Sequence, residues 1–188
     1  TALPGPYGIG DLGKEAYAFI DDLSDMGQSL WQILPLSPPD SYNSPYSSNS
    51  TFAGNHLLIS LDLLVEDGLL NLESLDRCRV PNLGIVDFNN ASNYKMNILK
   101  EMAHNFNKRA SSSILSRFKD FCNDESYWLN DYALYWALKE ENNYTSWNNW
   151  TSYKPNDTSC LFEAKVMQFI FHDQWTRIKQ YANSKGIN

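Results

Sequence analysis

The stretch Gly27-Gln-Ser-Leu-Trp-Gln-Ile-Leu-Pro-Leu36, followed by Ser37-Pro-Pro-Asp-Ser-Tyr-Asn-Ser-Pro-Tyr-Ser-Ser-Asn-Ser-Thr-Phe-Ala-Gly-Asn55, decides how this chain is read. Ser29–Leu36 is apolar apart from Ser29 and Gln32 and ends beside a proline. So short and continuous an apolar run suits a strand buried on both faces, as in a parallel sheet. Before it, Leu12, Ala16, Phe19, Ile20, Leu23 and Met26 recur at three- and four-residue steps. That spacing predicts a helix with one apolar face, capped by Asp11 and stopped by Gly27. A helix leading into a buried strand is an α/β signature.

Residues 37–55 are rich in Ser, Pro, Asn and Gly and show no period. A connection this long is uncommon inside a compact domain unless it has a function or is disordered. Tyr42, Tyr46 and Phe52 favour an ordered loop. In α/β barrels, sites are built from loops at the C-terminal ends of the strands. Tyr46 offers a flat apolar face and a hydroxyl, which suits a sugar ring; packing within an ordered loop would explain it equally well.

Beyond the loop the pattern turns helical. Leu57–Leu70 is expected to be one helix ended by Gly68, and a connector runs through Pro81 and Gly84 to Ile85–Phe88. Further helices are expected at Tyr94–Phe106, Ile114–Cys122, Trp128–Lys139 and Phe162–Asn183, the last closed by Gly186. The polar stretch Asn142–Thr158 holds Trp147 and Trp150, read as a packed corner in preference to a sugar platform. One strand against some six helices leaves the strand without a ladder partner, so its partners must come from other sequence.

Composition narrows the function. The net charge is −7, and residues 1–76 alone carry Lys14 against eleven acidic side chains. A phosphate-binding face would be basic, so nucleic acid is not an expected partner. No apolar run is long enough to span a membrane. Cys78, Cys122 and Cys160 form neither a disulfide framework nor a metal pair, which fits a reducing, cytoplasmic compartment. Five Asn-x-Ser/Thr triplets, at Asn49, Asn90, Asn143, Asn149 and Asn156, are the number chance allows in a chain with twenty Asn. No nucleophile elbow is present, and His56, His104 and His172 are expected on separate helix surfaces. Gly8-Ile-Gly-Asp-Leu-Gly13 precedes the strand, so it lacks the context of a dinucleotide loop. No cofactor and no metal are expected.

Three blocks in order, Pro6–Gly13, Gly27–Leu36 and Ser44-Pro-Tyr-Ser-Ser-Asn-Ser-Thr-Phe-Ala-Gly-Asn55, resemble the N-terminal part of the 4-α-glucanotransferases, also called amylomaltases. Asp131–Glu140, the Trp147/Trp150 pair, Gln168–Trp175 and Tyr181–Ile187 extend the likeness over nearly the whole chain. The resemblance implies the N-terminal part of a (β/α)8 barrel of the α-amylase type. Residues 1–56 would open the barrel domain, 57–160 would form a mainly helical insertion, and 161–188 would be a barrel helix leading to a second strand. The fragment itself would be mostly α-helical.

The implied reaction moves a segment of an α-1,4-glucan to the 4-hydroxyl of another glucan or of glucose, with retention through a glycosyl-enzyme. The family's catalytic aspartates and glutamate lie C-terminal to the matched region, so no catalytic residue is assigned here. Ser44 and Tyr46 match family residues that contact the sugar on the donor side of the cleaved bond. Ser37-Pro-Pro-Asp40 departs from a Gly-rich family pattern and bears on loop stiffness, while Ser44–Ser48 is intact. The rival reading is a non-catalytic helical module that binds glucan or protein through Trp147, Trp150 and Tyr153. Oligomeric state is left open by the pattern.

Overall fold

A computed structural model describes residues 3–40, 42–77 and 85–188. Cys78, Pro81 and Gly84 lie outside them. The described elements are α1 (Lys14–Asp25), a 3₁₀ turn (His56–Leu58), α2 (Leu61–Glu66), α3 (Leu72–Leu75), α4 (Phe88–Arg109), α5 (Ser112–Asp124), α6 (Ser126–Glu141), a second 3₁₀ turn (Trp147–Asn149) and α7 (Ser159–Ser184). The predominance of helix agrees with expectation. Leu57–Leu70 is not one helix, however. The 3₁₀ turn and α2 share it, and Gly68 at φ +75° ends the run.

α1 buries Ala16, Ile20 and Leu23 on one face. It ends as the glycine predicted, with Gly27 at φ +70°. The Gly27 N–H bonds to Ser24 O at 2.9 Å and the Gln28 N–H to Leu23 O at 2.9 Å. Only a residue without Cβ takes up that left-handed turn freely. At the other end Gly13, not Asp11, occupies the cap position. Asp11 Oδ1 instead accepts the Gly13 N–H at 2.9 Å from two residues upstream. α4 begins at Phe88, six residues earlier than its apolar period implied, because Asp87 accepts the Asn90 N–H as a side-chain cap.

α7 is the central element and packs against α1, α4, α5, α6 and the first 3₁₀ turn. Where α4, α5 and α7 meet, Phe106, Phe118 and Phe169 form a ring cluster, with centroids 5.2 Å apart for Phe106–Phe118 and 5.5 Å for Phe118–Phe169. Edge-to-face geometry of this kind adds roughly 0.5–1.5 kcal/mol per pair to the burial itself.

The segment 29–36 departs from expectation. It is extended but forms no strand among the described residues, and it lies at the surface, with Leu30 74% and Leu34 54% exposed. Its backbone makes one rung. The Asn188 N–H bonds to Ser29 O at 2.9 Å and the Trp31 N–H bonds to Asn188 O at 2.9 Å. One residue bonding on either side of its neighbour is the pattern of a parallel ladder. A buried parallel strand needs neighbours on both edges, and the described residues contain no others. Trp31 and Leu36 turn back to the core, with the Trp31 ring 5.2 Å from Phe19.

Two side chains of α7 hold the chain that follows the loop. Gln168 Oε1 accepts the Gly54 N–H at 2.7 Å, and its Nε2 donates to Gly54 O at 3.0 Å. Gln174 repeats the arrangement on Ser60, at 2.7 and 3.0 Å. Six residues separate the clamps on both chains. Six helical residues rise about 9 Å, whereas six extended residues span about 20 Å. The 3₁₀ turn at His56–Leu58, at about 2 Å per residue, shortens the intervening chain so that both clamps can close.

Gly54 also lies flat on Phe171, where an added Cβ would sit 1.9 Å from the ring. Gly54→Ala is therefore expected to lower stability by about 2–3 kcal/mol or more, read as a drop in the urea midpoint. An unchanged midpoint would show that the ring can move aside.

Candidate functional site: the loop 37–55

The loop that follows the extended segment is closed at its base. The Asn55 N–H donates to Leu36 O at 2.7 Å, joining the last residue of the loop to the residue before it. Higher up, Pro39 and Ser48 form an antiparallel bridge, with the Asp40 N–H on Ser47 O at 2.8 Å. Ser48 Oγ donates to Pro38 O at 2.9 Å. Ser50 Oγ accepts the Ala53 N–H at 3.1 Å. Serines thus replace the backbone partners that an irregular segment lacks.

Ser44 and Tyr46 meet in one turn at its tip. The Tyr46 N–H reaches Ser44 Oγ at 3.4 Å, and the Ser47 N–H bonds to Ser44 O at 3.2 Å. Asn43, at φ +56°, sets up that turn. Tyr46 is 76% exposed, so its ring is not consumed by packing within the chain. Packing within the loop therefore does not account for the ring. Asp40 is the only carboxylate in the loop, and its Oδ1 accepts the Tyr42 N–H at 2.9 Å.

Behind the loop sits a cleft of about 210 Å³, lined by Asp40, Asn43 and Asn49 on one side and by Tyr132, Trp136 and Tyr144 on the other. Tyr132 is buried on α6, and burial raises its hydroxyl pKa. His56 closes the floor. It was expected on a helix surface but is buried, with its ring 4.9 Å from Trp136. His104 and His172 are exposed, as expected. The Lys95 ammonium reaches in from α4, donating to Leu57 O at 2.8 Å and pairing with Asp11 at 3.3 Å. It fixes the chain just past the loop to the turn before α1.

The other aromatic candidates separate. Trp150 is buried, and its Nε1 donates to Thr145 O at 3.2 Å, as a packed corner requires. Trp147 on the second 3₁₀ turn is 62% exposed. The sequence reading missed the two glutamines. The signal was there: Gln168 and Gln174 interrupt the apolar face of a long helix, and a buried amide must find partners. Among the described residues no three His, Cys, Asp or Glu side chains gather as a metal site would need, and no helix is long and apolar enough to cross a membrane.

Burial, and secondarily the Lys95 charge, hold the His56 pKa down to about 4. In the unfolded chain it lies near 6.5. Above pH 6.5 the imidazole is neutral in both states and costs nothing. Between 6.5 and about 4 the unfolded state takes the proton first, so stability falls as pH falls. His56→Phe is expected to remove up to about 1.4 kcal/mol per pH unit of that slope, read from urea midpoints at pH 7, 5.5 and 4.5. Identical slopes for the two proteins would exclude His56 as the group responsible.

A family profile described as 4-alpha-glucanotransferase matches residues 1–188. The 4-alpha-glucanotransferase of Aquifex aeolicus is 40% identical over 202 residues, covering all of this chain and 40% of that protein. A chloroplastic/amyloplastic 4-alpha-glucanotransferase of Arabidopsis thaliana is 36% identical and is covered over 34% of its length. Among solved structures, an amylomaltase from Streptococcus agalactiae in complex with acarbose superposes with a TM-score of 0.92 at 32% identity, over all of this chain and 40% of that one. The chain thus spans about two-fifths of the length of such relatives.

Proposed function

This chain belongs to the 4-alpha-glucanotransferase family, and we propose that it supplies the N-terminal part of an enzyme that transfers α-1,4-glucan segments. In this reading residues 1–56 open a (β/α)8 barrel of the α-amylase type, 57–160 form its helical insertion, and 161–188 return to a second strand. The parallel rung between Asn188 and Ser29/Trp31 supports it. A helix that delivers the chain alongside the preceding extended segment, in the same direction, is a βαβ crossover.

The observation that carries the functional reading is the placement of Tyr46. Its exposed ring stands on a braced loop directly C-terminal to the segment 29–36, where barrel enzymes build their sites. Tyr46 stacks on the donor-side glucose ring, and Ser44 contacts its hydroxyls. The nucleophile and the acid/base are carboxylates contributed by sequence outside this chain, acting by double displacement with retention. Tyr46 works by differential binding, holding the ring while its anomeric carbon becomes planar and positive. The substrate is a maltooligosaccharide; the acarbose complex of the streptococcal relative supports that class. A cytoplasmic location belongs to the same reading and rests on the cysteine pattern.

The full-length enzyme is expected to convert maltotriose into glucose and longer glucans. Maltotriose bound but left intact would overturn the transferase reading. Tyr46→Ala is expected to lower kcat/KM about tenfold or more, a loss of about 1.4 kcal/mol of transition-state binding, with little change in Tm because the ring is exposed. Retained kcat/KM would remove Tyr46 from the site.

A further inference from the structure

We infer that Gln168 is a positioning residue for the substrate loop, acting through Gly54 and a relay of serines to set the place of Ser44 and Tyr46. This rests on the reading of those two residues as sugar-facing. Gln168 is buried on α7 and grips both the backbone N–H and the backbone C=O of Gly54, at 2.7 and 3.0 Å. One turn further along the same helix, Phe171 lies against the face of Gly54 that carries no side chain. The next residue, Asn55, crosses to Leu36 O at 2.7 Å. The C-terminal stem is thereby held from the helix, from the ring and from the opposite stem.

From that anchor a continuous path of hydrogen bonds leads to the tip. The Ala53 N–H bonds to Ser50 Oγ at 3.1 Å. The Ser50 N–H bonds to Ser48 Oγ at 3.2 Å, and Ser48 Oγ in turn donates to Pro38 O at 2.9 Å. The Pro39–Ser48 bridge then fixes the neck below Ser44–Tyr46. Every rung is short-range except the first. The Gln168 clamp is the one tie in this path that reaches across 114 residues of sequence.

The molecule carries its own control. Gln174 is buried on the same helix and grips Ser60 with the same two bonds at the same lengths, 2.7 and 3.0 Å. The two clamps differ in what they hold: Gln168 the stem of the loop, Gln174 the chain beyond the 3₁₀ turn. Removing either one leaves a buried N–H and a buried C=O without partners, so the losses in stability should be alike. A purely structural role would make the losses in activity alike as well.

The test compares Gln168→Leu with Gln174→Leu in the full-length enzyme, by Tm, by kcat and KM on maltotriose, and by backbone hydrogen exchange across residues 44–54. Similar Tm losses are expected for both. Gln168→Leu should lower kcat/KM at least tenfold and speed exchange across 44–54 at least tenfold, while Gln174→Leu stays within threefold of wild type in both. Gln168→Met keeps the length of the side chain while removing both bonds, so the same losses in activity and exchange are expected; it decides the matter if the leucine variant does not fold. Equal activity losses for the two sites, or unchanged exchange across 44–54 in the Gln168 variants, would overturn the assignment. A wild-type enzyme without transferase activity would refute the proposed function instead, and the exchange measurement would still judge the clamp.

Discussion

Two buried glutamine side chains on one helix hold the rest of this structure in register. A primary amide is the side chain best matched to the backbone N–H and C=O of a single extended residue, because its oxygen accepts and its NH2 donates side by side. Gln168 and Gln174 use that match to give α7 a defined polar contact with a segment that has no secondary structure of its own at Gly54 and Ser60. Apolar packing alone tolerates sliding. A bidentate amide does not, since a shift of one residue would orphan two buried polar groups at each clamp, at about 1–3 kcal/mol per group. Loop stem, 3₁₀ turn and α2 therefore occupy fixed heights along α7.

That constraint explains how a loop of irregular sequence holds an exposed aromatic ring steady. Tyr46 receives no packing from the chain, and the turn beneath it is short. Its position is inherited from the Leu36–Asn55 closure and from α7. The buried side of the loop is equally determined, with Lys95 joining Leu57 to Asp11 and His56 lying under Trp136. The ties of the loop are concentrated at its base, and its outer face, with Tyr46, is exposed.

The helices were legible in the sequence because their signals are local. Apolar residues at three- and four-residue steps and the stops at Gly27, Gly68 and Gly186 need no knowledge of the rest of the chain. The boundaries that moved did so for equally local reasons, such as the cap at Asp87 that starts α4 early. Ser44 and Tyr46 were singled out through a resemblance carried by a contiguous block, and the structure places them in one turn with the Tyr46 ring exposed. Three features escaped because their causes are distant. His56 is buried by α6, some eighty residues away in sequence. The glutamines find their partners 114 residues upstream. The segment 29–36 is apolar enough for a buried strand, but a strand is a property of pairs, and among the described residues Asn188 supplies its one parallel rung.

That single rung also bears on handling. An extended segment with open N–H and C=O groups on its edge, flanked by exposed Leu30, Ile33 and Leu34, is a template for strand addition. Natural sheet edges are blunted with charge or proline, whereas between Gly27 and Leu36 Pro35 is the one proline and no charged residue occurs. Eight residues with the composition of an inner strand thus lie at the surface, and a charge placed at Leu30 or Leu34 would blunt that edge.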